Sequence, residues 1–179
     1  MIVVLIGVSG CGKTAVGEAL AQDLGWRYLD ADDYHPPANV EKMRSGQPLT
    51  DADRWPWLDR LNELMRAQDA RGEHAVVACS ALKQAYRDRL ARGIENLRWV
   101  HLKGSFELIM SRLQQRKHRY MPASLLQSQF ETLEEPRDAL TIDIADPPQV
   151  LAARICAALE LNRGGAEDPE ERRGKAAPH

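Results

Sequence analysis

The alternation of apolar and polar residues along the chain predicts strands separated by helices. Residues 2–6 are apolar on both faces, as expected of a strand buried inside a parallel sheet. From Lys13 apolar residues recur every four positions, which predicts a helix that stops at Gly25. A short strand over residues 27–30 follows at once, so the chain opens with a βαβ unit.

The same alternation continues through the rest of the chain. Strand-like runs occupy residues 74–79 and 97–102, and a weaker run occupies 141–144. The predicted helices between and after them lie at about 52–71, 81–92, 105–117 and 148–161. This pattern favours an α/β fold with an open parallel sheet covered by helices on both faces. Ligands of such a sheet bind beyond the carboxyl ends of its strands.

Length and composition indicate one folded domain followed by a tail. The chain has 179 residues, of which 44% are hydrophobic and 28% are charged, as in ordinary globular proteins. We expect the domain to span residues 1–161. Residues 162–179 are rich in Gly, Pro and charge and contain no large apolar side chain, so we expect a disordered C-terminal tail.

Charge and hydropathy argue against some partners. The net charge of −2 gives no reason to expect nucleic acid, which usually needs a basic face. The longest apolar run, residues 1–6, is far too short to cross a bilayer and lacks the features of a secretory leader. We therefore expect a cytoplasmic location and no membrane partner.

A phosphate-binding loop follows the first strand. The sequence GVSGCGKT, residues 7–14, fits the pattern G-x-x-x-x-G-K-[ST] at every fixed position. Glycines let successive backbone N–H groups turn toward phosphate oxygens, and the following helix presents its positive end to the same anion. Lys13 would reach the β and γ phosphates of ATP, and the Thr14 hydroxyl would bind Mg²⁺. The predicted ATP-binding residues of this region are Gly7, Ser9, Gly10, Cys11, Gly12, Lys13, Thr14 and Ala15. We expect the Cys11 side chain to be exposed.

An acidic cluster follows the second strand, at the edge of the sheet where the phosphate loop lies. Asp30 could hold a water molecule of the Mg²⁺ shell, and Asp32 could accept a substrate hydroxyl and its proton. Asp33 is a weaker candidate. A polar turn, which Asp favours for its own backbone hydrogen bonds, is the competing interpretation.

The loop alone does not specify a reaction. The chain lacks the N-K-x-D sequence that reads guanine, and its third strand ends in Cys79-Ser80, where many ATP hydrolases carry a metal-orienting Asp. The small size and the acidic cluster instead favour a small-molecule kinase.

Several distinctive segments resemble the gluconokinase family. They are GVSGCGKT, LDADDYHP, GQPLTDADRWPWL, ACSALKQAYRD, HLKGSFELIMSRLQQRKHRYMP and LLQSQFETLEEP, and together they cover about residues 3–160. The resemblance implies transfer of the ATP γ-phosphoryl group to the 6-hydroxyl of D-gluconate, giving 6-phospho-D-gluconate and ADP. It also implies a P-loop NTPase fold similar to nucleoside monophosphate kinases and shikimate kinase, with five parallel strands and a mobile lid. It suggests a homodimer.

A gluconate site needs a cation for the carboxylate and polar groups for the hydroxyls. Arg54 is the predicted carboxylate ligand, because a guanidinium can donate two parallel hydrogen bonds. The alternative is a surface arginine paired with Asp51 or Asp53. His35, Lys83 and Arg87 are further predicted substrate ligands, although a packed turn histidine and an exposed ion pair would explain His35 and Arg87 equally well.

The densest basic cluster lies in the segment predicted as the lid, about residues 113–128. Cations there would stabilise charge on the transferred phosphoryl group and exclude water. Arg112 and Arg116, one helical turn apart, are the predicted ATP ligands, and Arg116 is also a predicted catalytic residue. A solvated basic face is the alternative. By analogy with the fold, backbone near residues 146–148 would hold adenine.

Two other hypotheses remain open. One is a related kinase acting on another small hydroxylated acid or on a nucleotide. The other is an ATP-driven switch, which the net charge of −2 and the missing switch motifs disfavour.

Overall fold

Five parallel strands form one sheet. The computed structural model describes residues 1–115 and 122–161. The strands are β1 Ile2–Ile6, β2 Arg27–Asp30, β3 Ala75–Ala78, β4 Leu97–Lys103 and β5 Ala139–Asp143. They lie in the order β2-β3-β1-β4-β5, and each neighbouring pair is parallel. All carboxyl ends therefore meet at one edge, with the end of β1 in the middle.

Helices connect the strands as the sequence predicts. They are α1 Lys13–Leu24, α2 Pro37–Arg44, α3 Asp51–Ala70, α4 Gln84–Ala91, α5 Phe106–Gln114, α6 Ala123–Thr132 and α7 Pro148–Ala158. A 3-10 helix at Ala31–Tyr34 follows β2. The predicted helices are present with slightly different ends, whereas α2, α6 and the 3-10 helix were not predicted. These unpredicted elements are short: the 3-10 helix and α2 lie at and after the acidic cluster, and α6 overlaps the end of the predicted lid.

The core has two layers, one on each face of the sheet. Every side chain of β1 is fully buried. Val3 and Leu5 face the layer that contains α1 and α7, while Ile2, Val4 and Ile6 face the layer that contains α3 and α4. Alternation along a strand sends successive side chains to opposite faces, so a strand covered on both sides must be apolar throughout. The predicted covering of both faces is confirmed.

The predicted lid and the predicted C-terminal tail lie partly or wholly outside the described residues. Residues 116–121 and 162–179 lie outside them, so the predicted lid is covered only in part and the predicted tail is not covered. None of the helices in the described ranges has the length and apolar content needed to cross a membrane.

Candidate active site

The loop after β1 takes the conformation that a phosphate-binding loop requires. Gly7, Gly10 and Gly12 have φ angles of 142°, 85° and 102°, which residues with a side chain rarely adopt. A Cβ on Gly7 would lie 2.8 Å from the Leu102 carbonyl oxygen, and one on Gly10 would lie 2.8 Å from the Leu113 side chain. Conformation and close packing therefore both require glycine in this loop.

Lys13 folds back along the loop. Its Nζ donates hydrogen bonds to the carbonyl oxygens of Gly7 and Val8, at 2.9 and 3.0 Å. The helix α1 begins at the same residue, so the unpaired N–H groups of its first turn lie beside the ammonium group. The arrangement concentrates positive charge at the mouth of the loop.

Cys11 is fully buried, so the expectation that its side chain is exposed was wrong. A Cβ on Gly7 would lie 2.9 Å from its Sγ, which shows that the thiol packs inside the bend of the loop. A contribution of Cys11 to ATP binding would therefore come from its backbone.

A cleft of about 490 Å³ opens beside the loop. It is lined by Gly10, Cys11, Gly12, Ala15, Val16, Arg112, Gln115, Ala145, Asp146, Pro147, Pro148 and Leu151. Arg112 is held at its wall, because its Nη2 donates to the Ile144 carbonyl oxygen at 2.6 Å. The structure thus places Arg112 and residues 146–148, the predicted adenine region, next to the phosphate loop. Arg116 lies outside the described residues.

Thr14 and Asp30, the two predicted metal-binding residues, lie together. The Thr14 hydroxyl and Asp30 Oδ2 are 3.5 Å apart, and the Tyr28 hydroxyl donates to the same oxygen at 3.3 Å. Burial, reinforced by the Asp30 carboxylate, raises the pKa of Tyr28, so this phenol stays protonated as a donor. A hydroxyl and a carboxylate at this spacing are oxygen ligands of the type that Mg²⁺ prefers.

Asp32 projects from the 3-10 helix into solvent. Its side chain is 68% exposed, while its backbone N–H donates to Asp30 Oδ1 at 3.1 Å. The indole of Trp57, in α3, anchors the same turn by donating to the Ala31 carbonyl oxygen at 2.8 Å. The carboxylate is therefore free to meet a ligand from a backbone that is fixed.

The charged groups at this edge also act on one buried thiol. Burial raises the pKa of Cys79, at the end of β3, to about 12. A hydrogen bond from the Ala81 backbone lowers it, the carboxylates of Asp32 and Asp30 raise it further, and Lys13 lowers it. The thiol therefore stays protonated.

His35 is packed rather than open to solvent. Its ring stacks on Trp57 at a centroid distance of 4.1 Å, and its side chain is 5% exposed. Nε2 lies 3.9 Å from Asp32 Oδ1, and Nδ1 lies 3.4 Å from Asn39 Nδ2. Burial lowers the pKa of His35, which favours its neutral form. The arrangement agrees with the packed turn histidine; contact with a sugar hydroxyl stays a prediction.

Arg54 and Lys83 lie around the ring of Tyr86. The Arg54 guanidinium carbon is 5.7 Å and Lys83 Nζ is 5.4 Å from its centroid. Lys83 is paired with Asp51 at 2.9 Å, and Asp51 also accepts a short hydrogen bond from the Tyr86 hydroxyl. The hydrogen bond from Tyr86 contributes most to lowering the pKa of Asp51, and the hydrogen bond from Lys83 contributes next. Two predicted substrate cations thus share one small region.

The structure does not show the ion pair that was the alternative interpretation of Arg54. Asp51 pairs with Lys83, and Asp53 pairs with Lys42 at 2.6 Å while it caps α3 through Thr50. Among the carboxylates of the described ranges, none lies within 4.0 Å of the Arg54 guanidinium. Its Nη2 donates to the Leu49 carbonyl oxygen at 3.3 Å.

Arg87 is 2% exposed, so the exposed ion pair that was its alternative interpretation is wrong. Its Nη1 donates to the carbonyl oxygens of Ala81 and Leu82, and its Nη2 donates to that of Glu134. A guanidinium fills this position because its five N–H groups can satisfy several buried carbonyls at once. Its direct contact with substrate stays a prediction that this geometry does not support.

Comparisons with known proteins agree with the geometry. The family described as an AAA domain matches residues 2–138. A protein of Xenopus tropicalis named probable gluconokinase is 47% identical over an alignment 173 positions long, and the alignment covers 87% of this chain and 91% of that protein. The chain belongs to the gluconokinase family.

Solved structures place the fold in the same family. A sugar kinase from Janibacter sp. HTCC2649 is 42% identical with a TM-score of 0.82, and 90% of this chain and 95% of that one are covered. A gluconokinase from Sinorhizobium meliloti 1021 is 41% identical with a TM-score of 0.77, over 88% and 94% of the two chains. A shikimate kinase from Aquifex aeolicus, 18% identical with a TM-score of 0.55, covers 89% of this chain and 96% of that one and shares the fold alone. The predicted P-loop kinase fold and the resemblance to gluconokinases are confirmed.

Sequence reasoning missed three polar residues of this gluconokinase-family site. Tyr28 contacts Asp30, the ring of Tyr86 lies close to both predicted substrate cations, and Gln129 bonds the phosphate loop at Ser9. The spacing of Tyr86 from Lys83 could have indicated a shared face. The long separation between residues 9 and 129 gave no local signal for Gln129.

Proposed function

We propose that this chain transfers the γ-phosphoryl group of ATP to the 6-hydroxyl of D-gluconate, forming 6-phospho-D-gluconate and ADP. The observation that carries the proposal is similarity to proteins named gluconokinases across nearly all of both chains. The site agrees with it, because a phosphate loop, an exposed carboxylate and a pair of cations lie at one edge of the sheet.

The phosphate loop would hold the triphosphate. Backbone N–H groups around Gly10 and Gly12 would donate to phosphate oxygens, and Lys13 would leave the Gly7 and Val8 carbonyls to neutralise the β and γ phosphates. Arg112 and the backbone near residues 146–148 would enclose the adenine in the 490 Å³ cleft. Arg116 is proposed as a further cation on the transferred group.

Thr14 and Asp30 would hold the magnesium ion that accompanies ATP. The Thr14 hydroxyl would be a direct ligand, and the Asp30 carboxylate would accept hydrogen bonds from a water of its shell. When bound, the ion neutralises charge on the phosphate oxygens.

Asp32 would act as the proton acceptor. An exposed carboxylate on a fixed turn can approach the 6-hydroxyl of a sugar acid and take its proton as the oxygen attacks phosphorus. At the far end of the acceptor, Arg54 and Lys83 would bind the carboxylate of gluconate. The two cations would thus balance the negative charge of the acceptor, and the Asp32 carboxylate would serve its attacking hydroxyl as a base.

The decisive experiment is a substrate panel. ADP release coupled to an indicator reaction is measured with gluconate, other sugar acids, shikimate and nucleoside monophosphates. We expect gluconate to be used far better than the others. Equal rates on several acceptors would contradict the proposed substrate.

A binding-loop variant serves as the control for that panel. Lys13→Ala removes the ammonium group that faces the β and γ phosphates, and we expect it to abolish transfer. Retention of turnover near the wild-type rate would contradict the role of the loop. The homodimer and the cytoplasmic location suggested by the sequence stay predictions.

A further inference from the structure

Gln129, near the end of α6, makes two hydrogen bonds to one residue of the phosphate loop. Its Oε1 accepts from the backbone N–H of Ser9 at 2.7 Å, and its Nε2 donates to Ser9 Oγ at 3.1 Å. The two residues are 120 positions apart in the chain. A side-chain amide that satisfies both the backbone and the side chain of one residue fixes its position and its orientation.

The segment that carries Gln129 is itself firmly held. Just beyond α6, the Glu134 N–H donates to the Leu82 carbonyl oxygen at 2.9 Å, and the Glu134 carboxylate accepts from the Gln84 N–H at 2.6 Å. The buried Arg87 donates to the Glu134 carbonyl oxygen at 2.8 Å. The amide of Gln129 therefore projects from an anchored segment, so it can impose a position on Ser9.

Among the described residues, few other side chains form hydrogen bonds with this part of the loop. A cavity of about 190 Å³ lies against Val8 and is lined as well by His101, Phe130 and Leu133. The other side-chain bonds to this part of the loop come from Lys13, to the carbonyl oxygens of residues 7 and 8. Those bonds would break when the ammonium turns to a triphosphate, whereas the bonds between Gln129 and Ser9 do not involve Lys13.

We propose that Gln129 is a positioning residue for ATP binding: it holds the first half of the phosphate loop in its binding conformation after Lys13 has turned to the phosphates. The proposal rests on the proposed binding of ATP by this loop. It does not depend on which acceptor is phosphorylated.

The test compares a substitution of Gln129 with a control substitution two residues earlier in the same helix. Gln129→Met keeps the length of the side chain and removes both bonds to Ser9. Gln127→Met is the matched control, because Gln127 is exposed and, within residues 1–115 and 122–161, its side chain bonds only Glu131 of its own helix. The measurements are the Kd of Mg·ADP by calorimetry, the KM for ATP and for gluconate, kcat, and the thermal midpoint.

We expect Gln129→Met to raise the Kd of Mg·ADP and the KM for ATP roughly tenfold, as the loss of two hydrogen bonds implies. The KM for gluconate should not change, and Gln127→Met should behave as the wild type. A purely structural role would lower the thermal midpoint and the active fraction while leaving the Kd and the KM for ATP as they were, and that result would overturn the proposal.

Ser9→Ala removes the hydroxyl that accepts from Gln129 and adds a second test. If the two residues act as a pair, the Ser9→Ala/Gln129→Met double variant should bind Mg·ADP about as weakly as Gln129→Met alone. Additive losses in the double variant would overturn the pairing. Because binding of Mg·ADP is read without an acceptor, failure of the gluconate assignment would leave this result interpretable.

Discussion

Several predicted active-site cations already form hydrogen bonds or ion pairs with other groups of the protein. Lys13 bonds two carbonyls of its own loop, Lys83 bonds Asp51, and Arg112 bonds the carbonyl of Ile144. Each cation is thus already directed toward the edge of the sheet. Restricting these long side chains before binding reduces the conformational entropy lost when a ligand arrives.

Asp32→Asn tests the proton acceptor. The amide keeps the size of the side chain but cannot take up a proton, so kcat should fall by about a hundredfold or more while the affinity for ATP changes little. Steady-state kinetics with separate nucleotide titrations measure both quantities. Asp33→Asn, at the exposed neighbouring position, should be nearly silent. Near-normal turnover of Asp32→Asn would disprove the assigned role.

Lys83→Met tests the cation pair around Tyr86. Removing the ammonium group leaves Arg54 alone to meet the acceptor carboxylate, so the KM for gluconate should rise about tenfold with the KM for ATP unchanged. Lys103→Met is the control, because Lys103 forms an exposed ion pair with Glu135 outside this cluster. An unchanged KM for gluconate would place the acceptor carboxylate elsewhere.

At the scale of elements, the site consists of turns that follow three neighbouring strands. The phosphate loop follows β1, the acidic turn follows β2, and the turn with Lys83 follows β3. Helix α3 connects two of them, since it carries Arg54 and also anchors the acidic turn through Trp57. Parallel strands bring these turns together because their carboxyl ends share one edge.

Hydrogen bonds from Arg87 connect the turn after β3 with the segment after α6, so removal of its guanidinium should destabilise both. Arg87→Met removes the donor to the buried Ala81 carbonyl and one of the two donors to that of Leu82, so the free energy of unfolding should fall by about 3 kcal/mol. Urea denaturation followed by circular dichroism measures the loss. Arg89→Met, which removes a more exposed ion pair with Asp59, should cost much less. Similar losses in the two variants would contradict the structural role of Arg87.

At the scale of the whole molecule, a sheet covered on both faces contains few polar groups, and His101 in β4 is one of them. It is 1% exposed, and its Nδ1 has no hydrogen-bond partner among the described residues. Burial lowers its pKa from 6.5; the charge of Glu135 opposes this shift, and those of Lys103 and Arg87 reinforce it. The fold therefore favours the neutral imidazole.

This burial predicts a loss of stability in mild acid. Because the pKa of His101 is lower in the folded state, the unfolded chain binds more protons below pH 6.5. The contribution of the neutral ring is present above pH 6.5 and is lost as the pH falls through the folded pKa. Urea unfolding at several pH values between 7.5 and 5 should show a smaller pH slope for His101→Gln than for the wild type. Equal slopes would contradict the prediction; His35, whose pKa is also lowered by burial, should contribute the remaining slope.

Local patterns in the sequence determined the phosphate loop, the five strands and the helices that cover them. A glycine-rich turn between an apolar strand and an amphipathic helix depends on residues close together in the chain, so its geometry can be read from their order. The acidic residues after β2 were predictable for the same reason.

Only the tertiary structure decided which polar groups from distant parts of the sequence contact one another. Arginine is usually exposed, yet Arg87 is buried because three carbonyl oxygens from two segments accept its hydrogen bonds. The ring of His35, a predicted substrate ligand, stacks on that of Trp57 in α3. Gln129 reaches Ser9 across 120 positions. A hydrogen bond depends on the positions of both partners, and for partners far apart in the chain those positions exist only after the sheet has formed.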